Sequence, residues 1–171
     1  GVTTPSDGSQ PRDWLAMEYL EGQTLEDVIE EQSLSIDQIV HVFSEICRGL
    51  AAVHEHQIVH RDLKPANIFM TSTGVVKILD FGLAKSLNSE TQLTQDNSVL
   101  GTVHYMSLEQ ARGESNKIDA RSDIFSLGVI LYQMFTKHFP FEADTVAQIL
   151  YKIDEAEPEP ISKFNRGVSR D

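Results

Sequence analysis

Apolar positions recur along the chain with two different periods, and the change of period divides it. From Ser35 onward, Ile36, Ile39, Phe43, Ile46, Leu50 and Val53 step by threes and fours, which puts them on one face of a helix. Ser35 and Gln38 have the spacing of a capping box at its start, and Glu45 and Arg48 fall on its polar face. The same spacing places Ile124, Leu127, Leu131 and Met134 on one face of a second helix, with Ile130 beside them, and a shorter third helix covers about 145–153. Between Gln57 and Leu79 the helical period lapses. Residues 58–59, 67–70 and 75–79 are short β-type runs, and Thr73-Gly74 supplies a turn between the last two. Residues 14–20 predict a further strand ending near Glu21-Gly22, after which Thr24, with Asp27 three positions on, caps a brief helix to about Glu31. Residues 5–13 are rich in turn formers and read as an exposed loop. Residues 86–99 are polar, aperiodic and free of Pro and Gly; they predict a long mobile loop of the kind that is usually functional. No internal repeat or low-complexity tract is present.

Composition narrows the function classes. A chain of 171 residues, 40% hydrophobic, can bury a core of its own and fits one domain or a large piece of one. The 14 Lys+Arg against 26 Asp+Glu leave a net charge of −12, which argues against nucleic acid as a partner and against contact of this segment with an anionic membrane. Cys47 is the sole cysteine, so an internal disulfide is excluded. A reducing, cytoplasmic compartment is the default, and Cys47 reads as an inert core thiol. No apolar run approaches the roughly 20 residues of a spanning helix. The first residues, Gly1-Val2-Thr3-Thr4, carry neither an initiator Met nor a signal pattern and read as an interior cut. His41, His54, His56, His104 and His138 lack Cys partners and helical i,i+4 pairing, and read as solvated or core histidines rather than zinc ligands.

Chemistry concentrates in two short stretches. Residues 60–67 read His-Arg-Asp-Leu-Lys-Pro-Ala-Asn, and residues 80–82 read Asp-Phe-Gly. Asp62 and Asn67 precede one strand of the expected hairpin and Asp80 follows the other, so the hairpin returns the three to one end. Asp80 and Asn67 offer hard oxygen ligands suited to Mg²⁺, which takes few protein ligands and completes its shell with phosphate oxygens and water. Lys64 can neutralise a transferring phosphoryl group, and Asp62 can accept a hydroxyl proton. Arg61, beside it, is a natural bidentate partner for a phosphate on the loop 86–99, where Ser89, Thr91, Thr94 and Ser98 are candidate acceptors and Asp96 supplies unmodified charge.

These motifs resemble the catalytic loop and metal loop of protein kinases. The likeness runs on through Gly101-Thr102-Val103-His104-Tyr105-Met106-Ser107-Leu108-Glu109 and Asp123-Ile124-Phe125-Ser126-Leu127-Gly128. It is preceded, in the family's order, by the hinge-like Met17-Glu18-Tyr19-Leu20-Glu21-Gly22. Lys64 and Gly101-Thr102 resemble the serine/threonine class, and the wording around Glu109 and Arg121 resembles its bacterial branch. The resemblance implies an α+β protein-kinase-like fold: residues 1–17 as the end of the N-lobe, 18–22 as the hinge, and 23–171 as a mostly helical C-lobe with small β-hairpins, truncated at its end. It implies ATP and Mg²⁺ as cofactors, with Mn²⁺ able to substitute, and proteins bearing Ser or Thr as partners.

Residue by residue, the resemblance makes Asp62 the catalytic base and Lys64 a contact of the γ-phosphate. Asn67 and Asp80 become the Mg²⁺ ligands, with Gly82 letting the metal loop turn. Thr102 would hydrogen-bond near Asp62 and favour a hydroxyl-bearing acceptor. His60 and Phe81 would stack in an internal spine, and Asp123 would anchor the catalytic-loop backbone. Glu18 and Leu20 would meet adenine through backbone groups, with Met17 behind the pocket and Phe69 under the ring. Thr94 becomes the first choice of regulatory phosphate acceptor for Arg61.

The same resemblance places the Gly-rich loop, the strand lysine and its helix glutamate before the hinge, and an arginine partner of Glu109 beyond Asp171. The polypeptide alone is therefore expected to bind ATP poorly and phosphorylate nothing, with activity belonging to a longer parent that can carry a membrane anchor elsewhere. Leu108 stands where the family usually has Pro, at a cost on the order of 1 kcal/mol. The rival reading is a pseudokinase scaffold that keeps Asp62, Lys64, Asn67 and Asp80 without using them, and absence of the strand lysine would favour it.

Overall fold

The computed structural model describes residues 17–31, 34–81, 101–165 and 167–168, and the backbone of residues 2–3 and 12–13. Strands β1 (Val2–Thr3) and β2 (Arg12–Asp13) pair antiparallel, with Val2 opposite Asp13 and Thr3 opposite Arg12. The expected loop over 5–13 is therefore corrected at its end, where a partner strand satisfies the backbone of Arg12 and Asp13. The strand expected over 14–20 also shifts. Residues 17–20 carry no regular structure, and strand β3 is Gly22–Thr24 instead. A strand needs a neighbour, and only from Gly22 does the chain run beside β4 (Ile68–Thr71), in the register Gly22 to Thr71 and Thr24 to Phe69. A Cβ at Gly22 would lie 2.1 Å from the Met70 carbonyl oxygen, so this close approach requires glycine. Strand β5 (Val76–Ile78) closes the expected hairpin on β4, giving a three-stranded antiparallel sheet of order β3-β4-β5.

Helix α1 (Leu25–Glu31) follows β3 directly, its first turn held by reciprocal hydrogen bonds between Thr24 and Asp27. Helix α2 (Ile36–His54) starts at the expected capping box: the Gln38 N–H donates to the Ser35 hydroxyl, and the Ser35 N–H to Gln38 Oε1. Its buried stripe is Ile39, Val42, Ile46 and Leu50, with Phe43 and Cys47 packed beside it. Ile36, expected on that face, is 44% exposed because it opens the helix, a turn short of the core. The expected strand at 58–59 is absent. Gln57 turns left-handed (φ 59) and the Ile58 N–H folds back onto the Val53 carbonyl, so these amides finish α2 rather than join a sheet.

Helix α3 (Leu108–Ala111) is one turn, and α4 (Ala120–Thr136) is the central helix, ending at a left-handed Lys137. Leu127, Ile130 and Met134 of α4 are buried, as expected, against α2 and Tyr105 in one continuous core. Ile124, assigned to that face, is instead 55% exposed, whereas the polar Ser122, Asp123 and Ser126 are buried. Helix α5 (Val146–Glu155) is capped by Thr145 and buries Ile149. Among the described residues no helix is long and apolar enough to cross a membrane.

His104 illustrates how the loop before α3 docks. Its ring stacks on Phe139 at 4.0 Å, and Nδ1 lies 3.1 Å from the Phe141 carbonyl. Burial disfavours the imidazolium and holds the pKa below the ordinary histidine value, although the Phe141 carbonyl and Glu142 pull the other way. The unfolded chain therefore takes up its proton first as pH falls through about 6.5, and folded-state stability declines from there downward. His104→Gln is expected to flatten this dependence. Urea midpoints at near-neutral and mildly acidic pH would converge in the variant and stay separated in the parent.

Candidate functional site

The catalytic residues expected from the sequence lie on a segment of alternating burial. Leu63, Pro65 and Asn67 point inward, while Asp62, Lys64 and Ala66 are half-exposed. The backbone is extended at Lys64 (φ −158, ψ 162), so residues two apart share a side. Hence Asp62 and Lys64 face each other, with Lys64 Nζ 3.3 Å from Asp62 Oδ2 and 3.5 Å from Thr102 Oγ1. Pro65 then opens a single 3₁₀ turn, Pro65–Asn67, with a φ already suited to it. That turn aims the Asn67 amide back at the loop, where Nδ2 donates to the Asp62 carbonyl (2.8 Å) and to Asp62 Oδ2 (3.3 Å). Asp62, Lys64, Asn67 and Thr102 thus form one connected group.

The hairpin brings the second stretch alongside. The Leu79 N–H donates to the Asn67 carbonyl at 2.8 Å, one step beyond the Ile68–Ile78 pair, so Asp80 emerges next to the turn carrying Asn67. Asp80 is left-handed (φ 50) and exposed. With Nδ2 spent on Asp62, the Asn67 amide presents its oxygen on its other side. An amide oxygen and a carboxylate are the hard donors a magnesium ion accepts, so this pair fits the divalent ion the motif implies. Among the described residues no three His, Cys, Asp or Glu side chains cluster as a metal site.

Behind the loop lies a hydrogen-bonded anchor. Asp123, 1% exposed, accepts from the His60 N–H (2.8 Å), the Arg61 N–H (2.9 Å) and His54 Nε2 (2.7 Å). A buried carboxylate needs such donors, and two of them are the backbone immediately before Asp62. His60 Nε2 bonds the Leu79 carbonyl at 2.8 Å while Nδ1 accepts the Asp62 N–H at 3.2 Å, and its ring lies 4.9 Å from that of Phe81. His60 therefore ties the segment carrying Asp62 to the strand end that carries Asp80. Arg61 is left-handed (φ 66), a state that costs a non-glycine residue about 1 kcal/mol. It is retained because both its N–H and its carbonyl are held, the latter by Gln110 Nε2 at 2.7 Å.

Ser122 on α4 donates to Glu109 Oε1, and the Ser126 hydroxyl donates to the Tyr105 carbonyl at 2.6 Å, so α4 also fixes residues 105–109. Partial burial acts to raise the Glu109 carboxyl, but hydrogen bonds from Ser122, its own backbone and Ser107 outweigh it and hold the pKa below the usual glutamate value. Burial pushes the Tyr105 hydroxyl well above its ordinary range, and it donates to Gln133 Oε1 at 2.6 Å.

The residues expected to form the hinge have a different setting. Met17 and Tyr19 are exposed, Leu20 is half-buried, and the Glu18 carboxylate pairs with Lys77 Nζ at 2.5 Å. Phe69 is half-buried on β4. Leu108 opens α3, the first helical position at which Pro is favoured. Gly82, Thr94 and the other expected phosphate acceptors of the loop 86–99 lie outside the described residues. The sequence reading missed His54, Gln110, Ser122 and Ser126. His54 is set aside there as one of several unremarkable histidines, and the others are polar residues whose partners lie far away in sequence.

A family model described as "Protein kinase domain" matches residues 8–167. "Serine/threonine-protein kinase PknB" of Mycobacterium leprae is 39% identical over 162 residues, which is 94% of this chain and 26% of that protein. Its namesake in Mycobacterium tuberculosis strain H37Rv is 39% identical over 163 residues, 94% of this chain and 26% of that protein. The one in Mycolicibacterium smegmatis is 37% identical over 161 residues, 93% of this chain and 25% of that protein. The chain spans about a quarter of the length of these relatives.

Proposed function

The chain belongs to the protein kinase domain family, and from that premise we propose that the whole protein transfers the γ-phosphate of ATP to Ser and Thr hydroxyls of other proteins. The observation that carries the reading is the grouping of Lys64 and Asn67 around the Asp62 carboxylate, with Thr102 in contact with Lys64 and Asp80 following the strand end bonded to Asn67. Asp62 is the base: its carboxylate orients the acceptor hydroxyl and takes its proton as the oxygen attacks the γ-phosphorus, while the bond from that phosphorus to the bridging oxygen breaks and ADP leaves. Lys64 faces the same carboxylate and offers its ammonium to the oxygens of the phosphoryl group in transit. Thr102, in contact with Lys64, lines the place where the acceptor hydroxyl sits. Asn67 and Asp80 hold Mg²⁺, which when bound neutralises charge on the phosphate oxygens. Residues 18–22 serve as the hinge against adenine, residues 1–17 belong to the N-lobe and 23–171 to the C-lobe. Arg61 is exposed, as a receiver for phosphorylated Thr94 requires. The likeness to kinases and the acidic balance favour protein rather than nucleic-acid partners, and the cytoplasm, where ATP is supplied, suits the chemistry.

Calorimetric titration of the full-length protein with an ATP analogue, with and without Mg²⁺, tests the metal assignment. Asp80→Ala is expected to abolish the Mg²⁺-dependent part of the affinity. Unaltered Mg²⁺-dependent binding in that variant would remove Asp80 from the metal site.

A further inference from the structure

The peptide linking Arg61 to Asp62 is held at both ends by side chains. Its N–H, belonging to Asp62, donates to His60 Nδ1 at 3.2 Å, and its carbonyl, belonging to Arg61, accepts from Gln110 Nε2 at 2.7 Å. Gln110 stands 49 positions later, on the one-turn helix α3. The other end of its carboxamide is also occupied, because Oε1 accepts the Ser107 N–H at 3.0 Å and the Ser107 hydroxyl at 3.1 Å. One planar group therefore caps its own helix with its oxygen and grips the catalytic loop with its nitrogen. Arg61, Asp62, Thr102, Tyr105 and Gln110 line a gap of about 10 Å³, space for about one water molecule. The left-handed Arg61 is a conformation that persists only where the surroundings enforce it, and Gln110 supplies the hold on its carbonyl side.

We infer that Gln110 is a positioning residue that latches α3 to the catalytic loop and sets the orientation of the Arg61–Asp62 peptide, and with it the aim of the Asp62 carboxylate. The inference rests on the reading of Asp62 as the base. It also makes the base sensitive to the segment that carries α3: withdrawal of that turn releases the Arg61 carbonyl, and Asp62 loses its fixed orientation.

Glutamate at this position separates the two tasks of the side chain. Gln110→Glu keeps an oxygen for Ser107, since Glu is as good a capping-box residue as Gln, but it has no N–H for the Arg61 carbonyl. In the full-length protein, Gln110→Glu is expected to lower kcat by about 10- to 100-fold. The KM for nucleotide should stay at its parental value, the thermal midpoint should fall less than in a variant that also loses the cap, and amide exchange at Asp62 should quicken. Gln110→Met, which removes both ends, should lower the thermal midpoint further. Parental kcat and parental Asp62 exchange in Gln110→Glu would overturn the latch and leave Gln110 as a helix cap only. Asp62→Asn, assayed in parallel, keeps the two readings apart: parental turnover there would overturn the base itself, whereas its collapse beside an undisturbed Gln110→Glu would overturn the latch alone.

Discussion

Asp62→Asn is expected to lower kcat of the full-length protein by about 10²- to 10⁴-fold while leaving nucleotide affinity near the parental value. The amide is nearly the same size as the carboxylate and can still accept from Asn67, so the loop keeps its shape. What it loses is the ability to take a proton, together with the negative charge that faces Lys64 at 3.3 Å. The nucleotide is bound elsewhere in this account, through the hinge and through Asn67 and Asp80, and does not lean on Asp62. Steady-state kinetics on a Ser/Thr peptide, paired with nucleotide titration, separates the two quantities. Turnover close to parental would remove Asp62 from the chemistry, and equal losses in kcat and nucleotide binding would mean that the substitution had disordered the loop.

The second large effect is expected at Asp123. Three donors converge on its two oxygens: His54 and the His60 N–H on Oδ2, and the Arg61 N–H on Oδ1. Asp123→Ala leaves all three without an acceptor in a site that is almost completely buried, and removal of a buried charged partner costs about 3–5 kcal/mol. Asp123→Asn keeps one acceptor oxygen. Its best placement serves His54 and His60 and turns an NH₂ toward the Arg61 N–H, so the loss should be smaller and concentrated at Arg61. Urea unfolding would rank the three proteins parent, Asn, Ala. Amide exchange would show Arg61 opening first in the Asn variant. An Ala variant as stable as the parent would mean that the carboxylate is not the anchor of the loop.

How far the sequence reveals this molecule depends on how local each feature is. The capping boxes at Ser35 and Thr24, the stripe of Ile39, Ile46 and Leu50, and the β4–β5 hairpin are short-range patterns, and all were legible. So was the return of the loop carrying Asp62 and Asn67 and the strand end carrying Asp80 to one end of the hairpin, which follows from the antiparallel pairing of β4 and β5. The misassignments have two physical origins, a nearby competitor for a backbone amide in one case and partners distant along the chain in the others. Residues 58–59 look like a strand, but the end of α2 claims the amide of Ile58. Ile124 looks like core, yet α4 turns Ser122, Asp123 and Ser126 inward, because there they meet Glu109, the catalytic-loop backbone and the Tyr105 carbonyl. Polar side chains read as surface until the groups they serve are in place. His54 and Gln110 escaped for the same reason, since the donors they offer matter only to residues 69 and 49 positions away.

The most direct measurement of the central claim is the fate of labelled γ-phosphate. Full-length protein incubated with γ-labelled ATP, Mg²⁺ and a protein substrate should place the label on Ser and Thr, and the Asp62→Asn protein should leave it on the nucleotide. Label reaching Ser and Thr at the same rate in both proteins, or a parent that binds Mg²⁺ and ATP yet labels no hydroxyl, would contradict the account.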